Sequence, residues 1–139
     1  MSSKRLFTLL VLIIALGAIA YSQTIRNANN SMLATINTNG EVRNSNNSLI
    51  ARITPQGDIR DANNHLLGKL DGNTVRNSNN STLGYINNDG TVRNSNNSLL
   101  GRVNDDGTVR DSNNHLLGYA KDVPMRYAAL YYFFNLFEQ

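Results

Sequence analysis

The sequence contains no cysteine, no tryptophan and only two prolines among its 139 residues. Without cysteine, neither a disulfide nor a thiolate-bound metal can hold the fold together, so stability depends on packing and on hydrogen bonds. Between residues 24 and 124 no stretch has enough strong helix formers in a row to nucleate a helix, because Asn, Ser, Asp and Gly recur throughout. These absences exclude a disulfide-stapled scaffold and a mostly helical domain.

One unit is present six times along the chain. In each copy an Ile or Val precedes an arginine, a pair of asparagines follows, and two aliphatic residues then lie on either side of a small residue. A fixed period of this kind is typical of folds in which neighbouring repeats bury one another. The copies are spaced by 17 residues, except that the third is one residue shorter, and they begin at Thr24, Glu41, Asp58, Thr74, Thr91 and Thr108.

Each copy is interpreted as strand, turn, strand, turn, because Ser-Asn-Asn-Ser and Asn-Asp-Asp-Gly both supply residues that tolerate positive φ. Hairpins with strands of about five residues are not stable alone, so we predict an all-β domain over residues 23–124 in which five to six short hairpins close around an axis. The small residue fits a place where backbones crowd together, and it is Ala34, Ala51, Gly68, Gly84, Gly101 or Gly118.

The number of hairpins depends on how the ends of the array are treated. Closure requires the strand near Ile25 to pair with the strand near Tyr119. The alternative is an open β-solenoid, with one copy per coil and stacked asparagines. The shortened third copy favours closure, because a deletion would break a solenoid ladder but only shortens a hairpin turn. Five complete hairpins turn at Gly40, Gly57, Gly72, Gly90 and Gly107, with half a repeat left at each end.

Residues 1–22 have the composition of a secretory signal peptide. Lys4 and Arg5 precede the apolar run from Leu6 to Ala20, and Ala20-Tyr21-Ser22 fits a cleavage site. We therefore expect export through the general secretory route to the periplasm, the cell surface or the medium, with an uncleaved anchor as the alternative. No cysteine follows the apolar run, which argues against a lipoprotein.

The last fifteen residues, 125–139, differ sharply from the repeats and are rich in aromatic residues. We predict a short apolar helix that plugs or caps the repeat domain, since a segment that is apolar nearly all round needs to be covered. The less favoured alternative is a tail that docks on a membrane or a partner through Tyr131, Phe133, Phe134 and Phe137. Such a tail would lie on the membrane surface, since it is too short to span a bilayer as a helix.

The arginines adjoin the core Ile or Val, so strand alternation places them on the opposite face. We expect turn carbonyls, Asp61, Asp111 and the equivalent asparagines to be their partners. A solvated, hydrogen-bonded face is the simplest interpretation, and a repeated surface for a glycan, polyanion or protein is the functional one. The candidate binding rim consists of Arg26, Arg43, Arg60, Arg76, Arg93, Arg110, Asn47, Asn64, Asn80, Asn97 and Asn114.

Other chemistry has little support in the sequence. His65 and His115 share one turn position, but neither has a second histidine nearby, so no metal is expected, and no cofactor motif is present. Outside residues 1–22 the chain has 11 basic and 10 acidic residues, which argues against nucleic-acid binding. No nucleophile, base and acid recur together, so we do not expect an enzyme.

The pattern Gly-x-Val-Arg-Asp-x-Asn-Asn-x-x-Leu-Gly, repeated and then followed by the segment RYAALYYFF from Arg126 to Phe134, resembles the small secreted bacterial proteins called five-fold β-flowers. The resemblance covers everything after residue 22. It implies hairpin petals around a pseudo-symmetry axis with the tail inside, and it carries over no functional residues. We expect an exported, non-catalytic structural or binding module of unknown ligand, with a self-assembling cell-surface element as the alternative.

Overall fold

The computed structural model describes residues 23–137, which form twelve strands and one helix. The predicted signal peptide, residues 1–22, lies outside the described residues. The elements are β1 (Thr24–Asn27), β2 (Met32–Ile36), β3 (Glu41–Asn44), β4 (Leu49–Ile53), β5 (Asp58–Asp61), β6 (Leu66–Asp71), β7 (Thr74–Asn77), β8 (Thr82–Ile86), β9 (Thr91–Asn94), β10 (Leu99–Val103), β11 (Thr108–Asp111), β12 (Leu116–Tyr119) and α1 (Met125–Phe134).

The twelve strands form a closed antiparallel barrel in which every strand pairs with its neighbours in the chain. The ring closes where β1 pairs with β12, with Arg26 opposite Tyr119 and Asn27 opposite Gly118. The predicted closed all-β architecture is therefore confirmed. The β-solenoid alternative has no support, since a solenoid would align successive copies in parallel.

Two kinds of turn alternate around the barrel. The Asn turn joins the two strands of one copy, as between β9 and β10, and the Gly turn joins one copy to the next, as between β10 and β11. Six Asn turns and five Gly turns occur among the described residues. The β1–β12 pairing takes the place of a sixth Gly turn. Closure therefore leaves none of the described strands with an unpaired edge.

The barrel interior is filled first by the residue that precedes each arginine. These side chains alternate with outward-facing neighbours, as expected for a strand with one buried face, and each is fully buried. The next layer comes from the strand that follows each Asn turn, and it includes Ile36, Ile53 and Ile86. The buried Ile and Val of the first layer are Ile25, Val42, Ile59, Val75, Val92 and Val109.

Helix α1 lies within the barrel, where Ala128, Ala129 and Leu130 are completely buried. It is shorter than the predicted segment 125–139, because Asn135 adopts the left-handed conformation and ends it after Phe134. The helix begins at Met125, and Pro124 precedes it as the N-cap residue without a side-chain cap. The predicted helical tail is thus an internal element of the barrel.

The small residues of the repeat make room for the tail. A Cβ atom added at Gly101 would lie 2.7 Å from the Phe133 ring, and one at Gly84 would lie 2.8 Å from the Phe134 ring. Gly118 is in the same relation to Tyr132, and Gly68 to Leu136. Four successive copies, taken in reverse order along the chain, therefore each receive one side chain from the tail.

Candidate functional site

Each Asn turn is built by its own first residue. In the fifth copy the side-chain oxygen of Asn94 accepts hydrogen bonds from the backbone N–H of Asn96 at 3.0 Å and of Ser98 at 2.9 Å. Asn97 then adopts a φ of 67°, a conformation that asparagine tolerates better than most residues. The sequence forms this turn because asparagine supplies both the local acceptor and the left-handed residue.

The repeated arginine braces the same turn from the adjoining strand. Arg93 donates from Nη1 to the carbonyl oxygen of Asn97 at 3.0 Å. The brace recurs in all six copies at distances of 3.0 to 3.3 Å. The structure thus brings the predicted rim arginines and asparagines together. The pairs are Arg26 with Asn30, Arg43 with Asn47, Arg60 with Asn64, Arg76 with Asn80, Arg93 with Asn97 and Arg110 with Asn114.

Asp61 and Asp111 do not partner the arginines of their copies, and that part of the prediction is wrong. Their carboxylates build the Asn turn instead, as Asp61 does by accepting from the backbone N–H of Asn63 at 2.9 Å and of His65 at 2.8 Å. The hydrogen bond from the His65 backbone is the largest influence that lowers the pKa of Asp61. The His115 backbone lowers the pKa of Asp111 in the same way. A turn amide outcompetes the guanidinium because it lies in the same loop.

The two histidines sit beside these aspartates. His65 Nδ1 lies 3.2 Å from Oδ2 of Asp61, and His115 Nδ1 lies 3.4 Å from Oδ2 of Asp111. Both imidazoles remain 77% exposed. Among residues 23–137 no group of three or more His, Asp or Glu side chains is arranged to hold a metal ion.

The outer face also brings together cations outside the candidate binding rim. Arg52 lies directly opposite Arg60, and Arg102 lies directly opposite Arg110, each pair at a boundary between two copies. The same boundary position holds Lys69 opposite Arg76, and Tyr85 opposite Arg93. Each of these residues occupies the position directly after the small residue of its copy, and that position is visible in the sequence. Only the register showed that they face the repeated arginines.

The repeated arginines and the residues opposite them at the copy boundaries form a belt on the outer face. Carboxylates pair with arginines of this belt on one side of the barrel. Arg43 pairs with Glu41 at 3.6 Å, Arg60 with Asp58 at 3.3 Å, and Arg76 with Asp71 at 3.7 Å. In the fourth, fifth, sixth and first copies the residue equivalent to Glu41 is threonine, as at Thr91 and Thr108. None of the described carboxylates forms an ion pair with Arg93, Arg102, Arg110 or Arg26.

A protein-family model described as 5-fold beta-flower protein matches residues 22–136. The chain belongs to the 5-fold β-flower family. Comparison with curated proteins and with solved structures gives no significant match. The family match agrees with the closed ring of hairpins and with the resemblance noted from the repeat and the tail.

Two concavities on this β-flower lie beside residues that the sequence singled out. One, of about 340 Å³, lies at the closure of the ring and is lined by Thr24, Arg26, Asn30, Asp106, Tyr119, Lys121 and Asp122. The other, of about 370 Å³, lies beside the shortened turn. There Arg126 donates to the carbonyl oxygen of Gly72. The residues lining the second concavity include no histidine and no carboxylate, so no general base converges there.

The aromatic residues considered for membrane contact pack against the core of the β-flower, and all but Phe137 are partly exposed. Phe133 and Phe134 lie against Gly101 and Gly84, and Phe137 is only 5% exposed. Tyr131 stacks on Phe137 with 6.0 Å between ring centroids. Within residues 23–137, no helix has the length and apolar character needed to cross a bilayer.

Proposed function

We propose that the protein is an exported, non-catalytic binding module that contacts a glycan, a polyanion or a protein through its rim of arginines and asparagines. The observation that carries this proposal is the sixfold brace between Arg Nη1 and the Asn carbonyl. It holds a ring of similar turns in one conformation, and the second asparagine of each is exposed. A pre-ordered ring of amides and cations lowers the ordering cost of binding an extended ligand.

Export is part of the proposal and rests on the composition of residues 1–22. We further infer that each copy of the repeat forms one petal, so that six petals surround the axis. Support comes from the register shift that recurs inside every copy, between β1 and β2 as between β9 and β10.

The alternative of a self-assembling surface element draws on a smaller set of observations. Met32, Leu33 and Leu66 are exposed apolar residues beside Asn turns, at 36% to 39% of their surface. Against it stand the closed ring, which leaves no described strand edge for pairing, and the inward position of the tail. An enzyme is a weaker candidate still, since the concavity at the irregular turn holds no acid–base pair.

The proposal is tested by a binding screen with glycans, polyanions and proteins, followed by rim variants. The triple variant Asn80→Gly, Asn97→Gly and Asn114→Gly removes three rim amides but suits their positive φ, so the fold should persist. The matched control replaces Asn79, Asn96 and Asn113, the first members of the asparagine pairs in the same turns, by alanine. We expect the rim variant to bind at least about tenfold more weakly and the control to stay within about twofold of the parent protein. Absence of any ligand, or equal effects of both variants, would count against the rim.

A further inference from the structure

The outer face of the barrel is not equivalent all the way round. The six consecutive strands β8, β9, β10, β11, β12 and β1 carry on their outer face Tyr85, Arg93, Arg102, Arg110, Tyr119 and Arg26 in turn, and these residues are directly opposed only across the boundaries between copies. We call this set the basic arc. It contains four arginines and two tyrosines, and threonine replaces the belt carboxylate in its copies.

The register fixes how close these side chains are. Tyr85 lies opposite Arg93, Arg102 opposite Arg110, and Tyr119 opposite Arg26. Directly opposed residues on antiparallel strands have Cβ atoms about 4.5–5.5 Å apart, and like charges on such a pair are unfavourable. Arg102 and Arg110 therefore carry an electrostatic cost that a bound anion would relieve.

The nearest carboxylates offset only part of that cost. Hydrogen bonds from Thr91 and, to a lesser extent, the charge of Arg102 lower the pKa of Asp89, and Thr108 and Arg110 act on Asp106 in the same way. Asp89 accepts from the backbone and hydroxyl of Thr91, and Asp106 accepts likewise from Thr108, so both are engaged in Gly turns. Neither forms an ion pair with an arginine of the arc. By contrast, Arg60 on the opposite side of the barrel has the Asp58 carboxylate at 3.3 Å.

The length of the arc indicates the shape of the ligand. Six adjacent strands at about 4.8 Å per strand span about 24 Å along the barrel surface. A single small anion could contact one boundary only, whereas a chain with repeated charges could contact all three. The closure concavity of about 340 Å³ lies at the Arg26 end and is also lined by Tyr119 and Lys121, with Asp106 and Asp122 on its wall.

We propose that the basic arc binds a linear anionic polysaccharide, whose carboxylate or sulfate groups contact the four arginines while its sugar rings pack on Tyr85 and Tyr119. The proposal rests on the proposed binding function and names its ligand class. Guanidinium groups suit planar, two-oxygen recognition of such acids. Half-buried tyrosines offer a rigid apolar face with a polar edge, which suits a sugar ring better than a bare inorganic chain.

The experiment measures binding of the full chain to polygalacturonate, heparin, linear polyphosphate and neutral dextran at low and at physiological salt. Arg102→Glu is the test variant, and Arg52→Glu is its matched control. Both arginines are exposed, occupy the same repeat position and face another arginine, but Arg52 also lies opposite Glu41. We expect polygalacturonate or heparin to bind, with an affinity that falls as salt rises. R102E should weaken it at least about tenfold and R52E less than about threefold.

Each other outcome refutes a stated part of the proposal. Equal loss in R52E and R102E would refute the arc but leave a general basic rim. Polyphosphate binding as tight as the polysaccharides would refute the role of sugar packing. Binding of neutral dextran alone, or loss in the Asn-to-Gly rim variant but not in R102E, would refute the arc while the proposed function stands. If none of these polymers and nothing in the wider screen binds, both fail.

Discussion

At the scale of single residues, the small position of the repeat has two forms. Four copies have glycine there, whereas the first two have Ala34 and Ala51, both buried. A Cβ at Gly101 would lie 2.2 Å from the Arg110 carbonyl oxygen and 2.7 Å from Phe133. The glycine is therefore needed for space, because the neighbouring strand and the tail both approach it.

This difference predicts unequal effects of exchanging the two residues. We expect Gly101→Ala to lower the free energy of unfolding by about 2–3 kcal/mol, since an overpacked core site must displace backbone or a ring. The reverse change at the equivalent position of the second copy, Ala51→Gly, should lower the free energy of unfolding by only about 1 kcal/mol. Urea unfolding of both variants measures the comparison. Equal stabilities of G101A and the parent protein would show that Phe133 does not occupy this place.

At the scale of elements, one hydroxyl group bridges the strands that close the ring. Tyr132 donates to the carbonyl oxygen of Arg26 on β1 and lies 3.1 Å from that of Tyr119 on β12. Those two residues are also direct partners in the ladder. Burial raises the pKa of Tyr132 to about 12, so the hydroxyl remains a donor through neutral pH.

We expect Tyr132→Phe to lower stability by about 1–2 kcal/mol, because the carbonyl oxygen of Arg26 loses its side-chain donor. The loss should concentrate at the closure, where amide hydrogen exchange of β1 and β12 speeds up more than that of β9 and β10. The raised pKa means that the hydroxyl stabilises the fold fully below about pH 10 and less as pH approaches 12. The parent protein should therefore lose more stability than Y132F over that interval. Uniform acceleration of exchange would contradict a local role.

The Asn turns predict a second dependence on pH. Asp61 and Asp111 have lowered pKa values in the fold, so their stabilising effect is present above the unfolded value near 3.8 and is lost as pH falls through the folded value. Four copies achieve the same turn with asparagine, which does not titrate. We expect Asp61→Asn with Asp111→Asn to flatten the fall in melting temperature below pH 4. An unchanged fall in melting temperature below pH 4 would refute the role of the two aspartates in the Asn turns.

Much of this element structure could be predicted from the sequence. Asn-Asn-Ser and the Gly turns indicated the alternation of strand and turn, and Ile or Val before arginine indicated the buried face, because both signals are local. The pairing of Arg52 with Arg60 depends on register between copies, which no local pattern states. The roles of Asp61 and Asp111 were missed for a related reason, since charge suggested an arginine partner where a turn amide was nearer.

At the scale of the whole molecule, the barrel and its tail depend on each other. A ring of twelve short strands leaves an interior that twelve aliphatic side chains line but do not fill alone. Helix α1 occupies the rest, with Leu130 fully buried and four tail side chains set against the four glycines. The sequence predicted this only as plug or cap, because the same apolar composition suits either position.

Removal of residues 125–139 should therefore abolish cooperative unfolding of the barrel, because the interior layers would be exposed to water. Leu130→Ala provides a graded test, with an expected loss of about 2–5 kcal/mol. Leu66→Ala is the control, since 39% of Leu66 is exposed and its loss should stay near 0.5 kcal/mol.

Sizing of the same proteins separates the internal tail from self-assembly. With an internal helix, the parent protein and L130A elute at the size of one chain, and only the truncated protein unfolds or aggregates. A self-assembling element would instead give an oligomer that the truncation converts into folded single chains. That second result would contradict the packing of Phe133 and Phe134 against Gly101 and Gly84, since side chains committed to a neighbour could not fill their own barrel.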